Sequence, residues 1–170
     1  MDWMNAEGKL ILPAERIWLR DIASSFERPV IVNIGVYKCA TMYCLRAGAP
    51  EARIVGVDLE PPQGPVHPSL EAEFVVADSR VYHKDFKGPI DLLFHDGGHT
   101  YDVVKADISG WVPKVVVGGI VVFHDYNPSR HNRKKRPWVL GVAKAVGEWF
   151  AKGGWEKLAA PGSLGAFRRL

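Results

Sequence analysis

Apolar and polar positions along the chain follow two periods. Pro29 to Val36, "PVIVNIGV", is a short apolar run rich in β-branched residues. "ARIVGVDL" (52–59), "EFVVADS" (73–79), "IDLLFHD" (90–96) and "VVVGGIVVFHDY" (115–126) repeat it. Runs of this length without strict alternation predict strands covered on both faces, so five buried strands are expected. Between them the spacing lengthens to three and four. Lys38 to Ala47, a weaker stretch near Val81 to Phe86, and Thr100 to Trp111 read as helices, the last with Tyr101, Val104, Ile108 and Trp111 on one face. Ahead of the first strand, Pro13 stands in the opening turn of a helix on which Ala14, Trp18, Ile22 and Phe26 recur at four-residue steps. Residues 1–28 are thus expected to form an N-terminal helical segment packing on the sheet. Val139, Val142, Val146 and Phe150 line a last helix, and the segments flanking Pro161 and Gly162 read as two strands. Glu60 to Pro68, "EPPQGPVHP", has too much proline for a helix and is an extended loop.

Strand and helix in regular succession imply right-handed crossovers between parallel strands. The expected fold is α/β, a Rossmann-like open, mostly parallel sheet with helices on both faces and a C-terminal antiparallel hairpin. A length of 170 residues suits one domain over 1–170.

Composition narrows the class. With 47% hydrophobic and 24% charged residues the chain is globular rather than disordered. No apolar run is long enough to span a bilayer, and the first ten residues lack a basic stretch followed by an apolar one, so the expectation is a cytoplasmic protein with no membrane partner. Cys39 and Cys44 are the two cysteines, and their five-residue offset points them apart on a helix, which reads as two reduced thiols. The net charge of +3 demands no polyanionic partner, but basic residues bunch in "SRHNRKKRPW", Ser129 to Trp138. Trp111, Trp138, Trp149 and Trp155 read as core or helix–sheet packing.

Candidate chemistry lies at the strand ends. In an open parallel sheet the carboxyl ends of the strands converge on a crevice where ligands bind. Here they end at Asn33 and Gly35, at Asp58, at Asp78 and Ser79, at His95 and Asp96, and at His124 and Asp125. Any one of these is explained equally by helix capping or turn closure. Five together point to one polar rim, and a carboxylate placed like Asp58 can accept both hydroxyls of a ribose.

The succession "VNIG…VGVDL…VVADS…LLFHDGGHTYDVVKADISGWVPKVVVGGIVVFHDY" resembles the class I S-adenosylmethionine-dependent methyltransferases, over about Pro29 to Tyr126. Its later part looks most like small bacterial methyltransferases related to the metal-dependent sugar and catechol O-methyltransferases. The resemblance implies S-adenosylmethionine as cofactor. Asn33, Gly35 and Val36 would form the first cofactor loop, Asp58 would hold the ribose diol, Asp78 and Ser79 would lie beside the adenine, and Leu59 and His95 would belong to the same site. It also implies a divalent cation, Mg or Mn, on Asp96, His124 and Asp125, with Asp96 bridging the two sites and His99 in the position of the general base. The first loop departs from the family pattern: "NIGVYKCAT" starts with Asn33 rather than an acidic residue and has Cys39 and Ala40 where glycine or small residues are usual.

The resemblance implies methyl transfer to the hydroxyl of a small-molecule acceptor, anionic if the segment from Arg130 to Arg136 clamps it. Two other readings stay open on sequence alone. One is a non-catalytic nucleotide- or nucleic-acid-binding domain, which the glycine-poor loop and the basic run favour. The other is a metal-dependent hydrolase built on Asp96, His99, His124 and Asp125. A homo-oligomer is left open.

Overall fold

In the computed structural model, residues 11–129, 134, 135 and 137–170 are described. Seven strands form one sheet: β1 (Val30–Ile34), β2 (Arg53–Asp58), β3 (Ala72–Val76), β4 (Ile90–His95), β5 (Val115–Phe123), β6 (Trp155–Leu158) and β7 (Gly165–Arg169). Their order is β3-β2-β1-β4-β5-β7-β6. The first five pair in parallel, while β7 runs antiparallel between β5 and β6. This is the expected architecture, and the terminal hairpin adds its second strand, not its first, to the parallel sheet.

Side-chain alternation along the central strands sorts the core into two layers. Ile31, Ile54, Leu92, Phe94, Ile120, Val122 and Ala166 face α1 (Pro13–Ala23) and α2 (Ala40–Gly48). Val32, Val55, Leu93, Val121, Phe123 and Phe167 face α4 (Tyr101–Trp111) and α5 (Leu140–Phe150). A strand buried on both sides has no polar face to show, which is why these segments read as continuous apolar runs.

Two helix expectations shift. Along α1 the fully buried positions are Glu15, Arg16, Leu19 and Ala23, whereas Trp18 and Ile22 are half-buried and Ala14 is exposed. The line of contact runs one residue later than the apolar spacing suggests, and it carries a glutamate into the core. The weak helix near Val81–Phe86 is instead a single turn, α3 (Ser79–Tyr82), capped by the Asp78 carboxylate accepting the Arg80 N–H at 2.9 Å. Behind it Trp111 is fully buried among Tyr82, His83 and Phe86, and its indole N–H donates to the Ser79 carbonyl at 3.0 Å. The end of α4 therefore anchors the residues that follow β3. Trp138 departs from its expected packing role, being 52% exposed.

The strand order reverses between β1 and β4, since β1 continues to β2 on one side and β4 to β5 on the other. Helices cross to opposite faces there, leaving a crevice at the strands' carboxyl ends. Backbone pairing continues one step past the strands: Gly35 N–H donates to Val57 O, Asp96 N–H to Ile34 O and His124 N–H to His95 O, at 2.8 to 3.0 Å. The residues after β1, β4 and β5 are held in register by the sheet itself.

Candidate active site

A cleft of about 410 Å³ opens at this reversal, a size suited to a small-molecule ligand. It runs from Ala77, Asp78, Ser79 and Arg80 past Asp58 and Leu59 to Asp96 and His99, and the turn from Gly35 to Thr41 forms its floor.

That turn takes a glycine-rich shape without the glycines. Gly35, Tyr37 and Cys39 all have positive φ, at 85°, 45° and 60°. For Tyr37 and Cys39 this costs on the order of 1–3 kcal/mol each, so surrounding contacts must hold the turn. Asp58 supplies two of them: its Oδ2 accepts the N–H of Val36 at 2.6 Å and of Tyr37 at 3.2 Å. Among the described residues its Oδ1 receives only a long contact from Glu60 N–H, at 3.4 Å, and remains the oxygen that can face a ligand. Asn33 braces the same turn from beneath. It is fully buried, its amide donates to Gly35 O at 2.7 Å, and it does not line the cleft.

At the outer end the Asp78 carboxylate is engaged by the Arg80 guanidinium, with Nη2 at 2.5 Å, while Ser79 and Arg80 themselves face the cleft. His95 is a correction to the expected cofactor set. Its ring is buried against Phe123, with Nε2 2.9 Å from Asp107 on α4, and it does not line the cleft. β4 sends Phe94 to one layer and His95 to the other, where α4 presents Asp107 to the ring.

The inner end is a cluster of charge. His99 Nε2 lies 3.2 Å from Asp125 Oδ2 and 3.5 Å from Asp96 Oδ1, and His124 Nδ1 lies 3.2 Å from Asp96 Oδ1 and 3.7 Å from Asp125 Oδ2. Asp125 reaches in because its backbone is left-handed, with φ 55°. One ligand atom each from Asp96, His124 and Asp125 falls within 4.8 Å of the others. Ligands at about 2.1 Å from one ion stand up to about 4.2 Å apart, so a slight contraction closes the set on a cation. His124 Nδ1 is buried, and despite its nearness to Asp96 it has no aligned hydrogen-bond partner among the described residues, as expected of a nitrogen built to ligate. The three residues therefore fit a divalent cation.

Sequence reasoning missed one member. Glu15 on α1 is 1% exposed, and its Oε2 lies 3.7 Å from His124 Nε2. The available signal was a glutamate one turn before Leu19, on the stripe that α1 buries.

With no cation, protons balance the carboxylates. His99, hydrogen-bonded to Asp125 and Asp96 against an opposing effect of burial, is raised to about 9. His124, opposed by burial but held by Asp96 and Glu15, is raised to about 10. Burial works to raise Asp96, yet the two imidazoles beside it win and hold it at about 2. His99 therefore does not titrate near neutrality, as an isolated imidazole would, but is charged at pH 7.

Residues 32–126, more than half the chain, match the family of methyltransferase domains. Of solved structures, SAH-bound methyltransferase PaMTH1 of Podospora anserina superposes with a TM-score of 0.72 at 13% identity, covering 99% of this chain and 85% of that one. The O-methyltransferase from Bacillus cereus in complex with SAH gives 0.65 at 15% identity, over 97% and 85%. MycE methyltransferase of the mycinamycin biosynthetic pathway, in complex with Mg, SAH and mycinamycin VI, gives 0.63 at 16% identity, over 84% and 45%. The chain spans 5% of the length of a curated relative, the uncharacterized protein y4gI of Sinorhizobium fredii, to which it is 45% identical over 42 residues, 25% of its own length. No helix among the described residues is long and apolar enough to cross a membrane.

Proposed function

We propose that this chain, which belongs to the methyltransferase-domain family, transfers the methyl group of S-adenosylmethionine to a hydroxyl of a small-molecule acceptor, with a divalent cation on Asp96, His124 and Asp125. The observation that carries the reading is the continuity of the cleft: one cavity joins Asp58, Asp78 and Ser79 to Asp96 and His99. A nucleoside held at the first group directs the rest of the cofactor toward the second. The SAH and Mg in the structural relatives support the same pairing of ligands.

Each residue has a task. Gly35 and Val36 bring backbone against the cofactor. Asp58 Oδ1 would accept from the ribose, and Leu59, Ser79 and Arg80, which line the same end of the cleft, would bound the base. A cation bound to the three ligands supplies positive charge that lowers the acceptor hydroxyl's pKa. Beside a bound cation His99 would lose its proton by repulsion, and the freed Nε2, between Asp96 and Asp125, would be placed to accept the hydroxyl proton. The remaining acceleration comes from alignment of methyl and oxygen.

The acceptor reaches the cluster beside the basic run. Lys134 and Lys135 are exposed, and the start of α5 is pressed on the turn bearing His99, so that a Cβ on Gly141 would lie 2.6 Å from His99 O. Arg130, Arg133 and Arg136, the other basic residues of the expected clamp, lie outside the described residues. The arrangement favours an anionic acceptor over a neutral one.

Calorimetric titration with S-adenosylmethionine and with its demethylated product tests the reading. Saturable binding of both is expected. Absence of binding by either would leave a metal-dependent hydrolase as the better account of the cluster.

A further inference from the structure

Three segments distant in sequence converge behind the proposed cation site, and the residue that joins them is Glu15. From α1 its carboxylate is buried against the turn between β6 and β7. Oε1 accepts the backbone N–H of Ser163 at 2.7 Å and its hydroxyl at 3.0 Å. Oε2 accepts the Leu12 N–H at 2.8 Å and lies 3.7 Å from His124 Nε2. Ser163 in turn receives the Asp125 N–H on its hydroxyl at 3.4 Å and the Asn127 N–H on its carbonyl at 2.9 Å. There is no room to spare in this cradle, since a Cβ on Gly162 would overlap Glu15 Oε1.

His124 is thus held by its two nitrogens in opposite ways. Nε2 faces a buried carboxylate that belongs to the scaffold. Nδ1 faces Asp96 and Asp125 and has no aligned partner among the described residues. A neutral imidazole carries one proton, and once Asp96 and Asp125 are committed to a cation on the Nδ1 side, Glu15 is the carboxylate left to take it on Nε2. A proton kept on Nε2 toward Glu15 leaves the Nδ1 lone pair for a cation. Ligating histidines with such a carboxylate partner gain both orientation and basicity.

We propose that Glu15 is a positioning residue for the cation site: it fixes the His124 ring and its tautomer so that Nδ1 ligates. The inference rests on the cation site proposed above. It also gives a charged residue on the buried face of α1 a purpose beyond capping. The cap itself uses only the contact to Leu12, and the contact to His124 is separate from it.

The test is a double-mutant cycle read as Mn2+ affinity by calorimetry, with thermal unfolding followed in parallel. Glu15→Gln is expected to weaken Mn2+ binding by about tenfold or more. In a His124→Asn background, where an amide oxygen replaces the imidazole, the same change is expected to alter affinity by less than about twofold. An equal loss in both backgrounds means Glu15 acts through the fold, and no loss in either means it is only a cap; both overturn the proposal. Failure of the unsubstituted protein to bind Mn2+ at all overturns the cation site and this inference with it, an outcome distinct from the other two. A measurement that needs no variant reads the ring directly. With Zn2+ bound, nitrogen NMR of the unsubstituted protein is expected to show the His124 proton on Nε2, and a proton on Nδ1 would refute the assignment.

Discussion

Gly35 and Asp96 touch through their backbones: a Cβ built on Gly35 would overlap the carbonyl oxygen of Asp96 and crowd the N of Gly97 at 2.9 Å. Gly35 also sits at φ 85°, a conformation that side chains resist. The turn after β1, which floors the cofactor end of the cleft, is therefore packed directly on the turn after β4, which begins the charged cluster. The two halves of the site share one glycine contact.

Gly35→Ala is expected to separate the turns, lowering stability by about 2–4 kcal/mol and S-adenosylmethionine affinity by at least about tenfold. Calorimetry on the folded fraction, with the unfolding midpoint measured alongside, checks this. Full affinity with an unchanged midpoint would mean that the contact is not needed.

Asp58 does two jobs, and a conservative substitution can part them. Asp58→Ala removes the acceptor for the Val36 and Tyr37 N–H groups as well as the oxygen facing the cleft, so folding and binding should suffer together. Asp58→Asn keeps one oxygen for the turn and presents an amide, a donor, where the ribose needs an acceptor. Its melting temperature should stay within a few degrees of the unsubstituted protein while cofactor affinity falls about tenfold. Equal affinity for the cofactor would remove Asp58 from the site.

Much of this was legible in the sequence, because the signals are local. Continuous apolar runs identify strands covered on both faces, and polar residues at their ends mark the rim, so Asp58, Asp78, Asp96 and Asp125 follow from strand assignment alone. What could not be read depends on direction. That the His95 ring turns to Asp107 while Asp96 lines the cleft is settled by the packing of α4, which the local pattern of β4 does not carry. Glu15 was hidden because the α1 contact line is set by packing on α2, where a Cβ on Gly48 would crowd Arg20 C at 2.9 Å and Ala23 Cβ at 3.0 Å, and not by apolar spacing. The turn after β1 looked deficient in glycine, yet Tyr37 and Cys39 hold left-handed backbone there. Sequence shows which residues adopt such conformations cheaply, not which are forced into them.

The basic run offers a test of acceptor charge. Replacing Arg133, Lys134, Lys135 and Arg136 together by glutamine should leave S-adenosylmethionine binding unchanged, because Lys134 and Lys135, the two among the described residues, do not line the cofactor cleft. If the acceptor is anionic, its affinity should fall by about tenfold or more and lose most of its dependence on salt. Acceptor affinity unchanged across salt concentrations would make the run a solvated surface and the acceptor neutral.

Finally, the cluster predicts how stability varies with pH and how a cation reverses the trend. His99 and His124 are raised from 6.5 to about 9 and about 10, so their protonated forms are favoured by the fold. That contribution is complete below about pH 6.5 and is lost as pH rises through 9 and 10. Asp96 is lowered from 3.8 to about 2, so its contribution is present above about pH 4 and is lost as pH falls toward 2. Cation-free protein should thus be most stable between about pH 4 and 6.5, with a melting temperature that declines steadily from about pH 7 to 10. A cation competes with these protons, because ligation needs His124 neutral. The stabilisation added by Mn2+ should therefore be small near pH 6 and grow toward pH 8.5, and chelation should abolish it. Asp96→Asn supplies the control. With that carboxylate neutralised, both imidazoles move back toward 6.5, the decline should begin at lower pH, and the Mn2+ increment should shrink. A cation-free melting temperature that stays level from about pH 6 to 10 would show that the imidazoles are not paired as the structure places them.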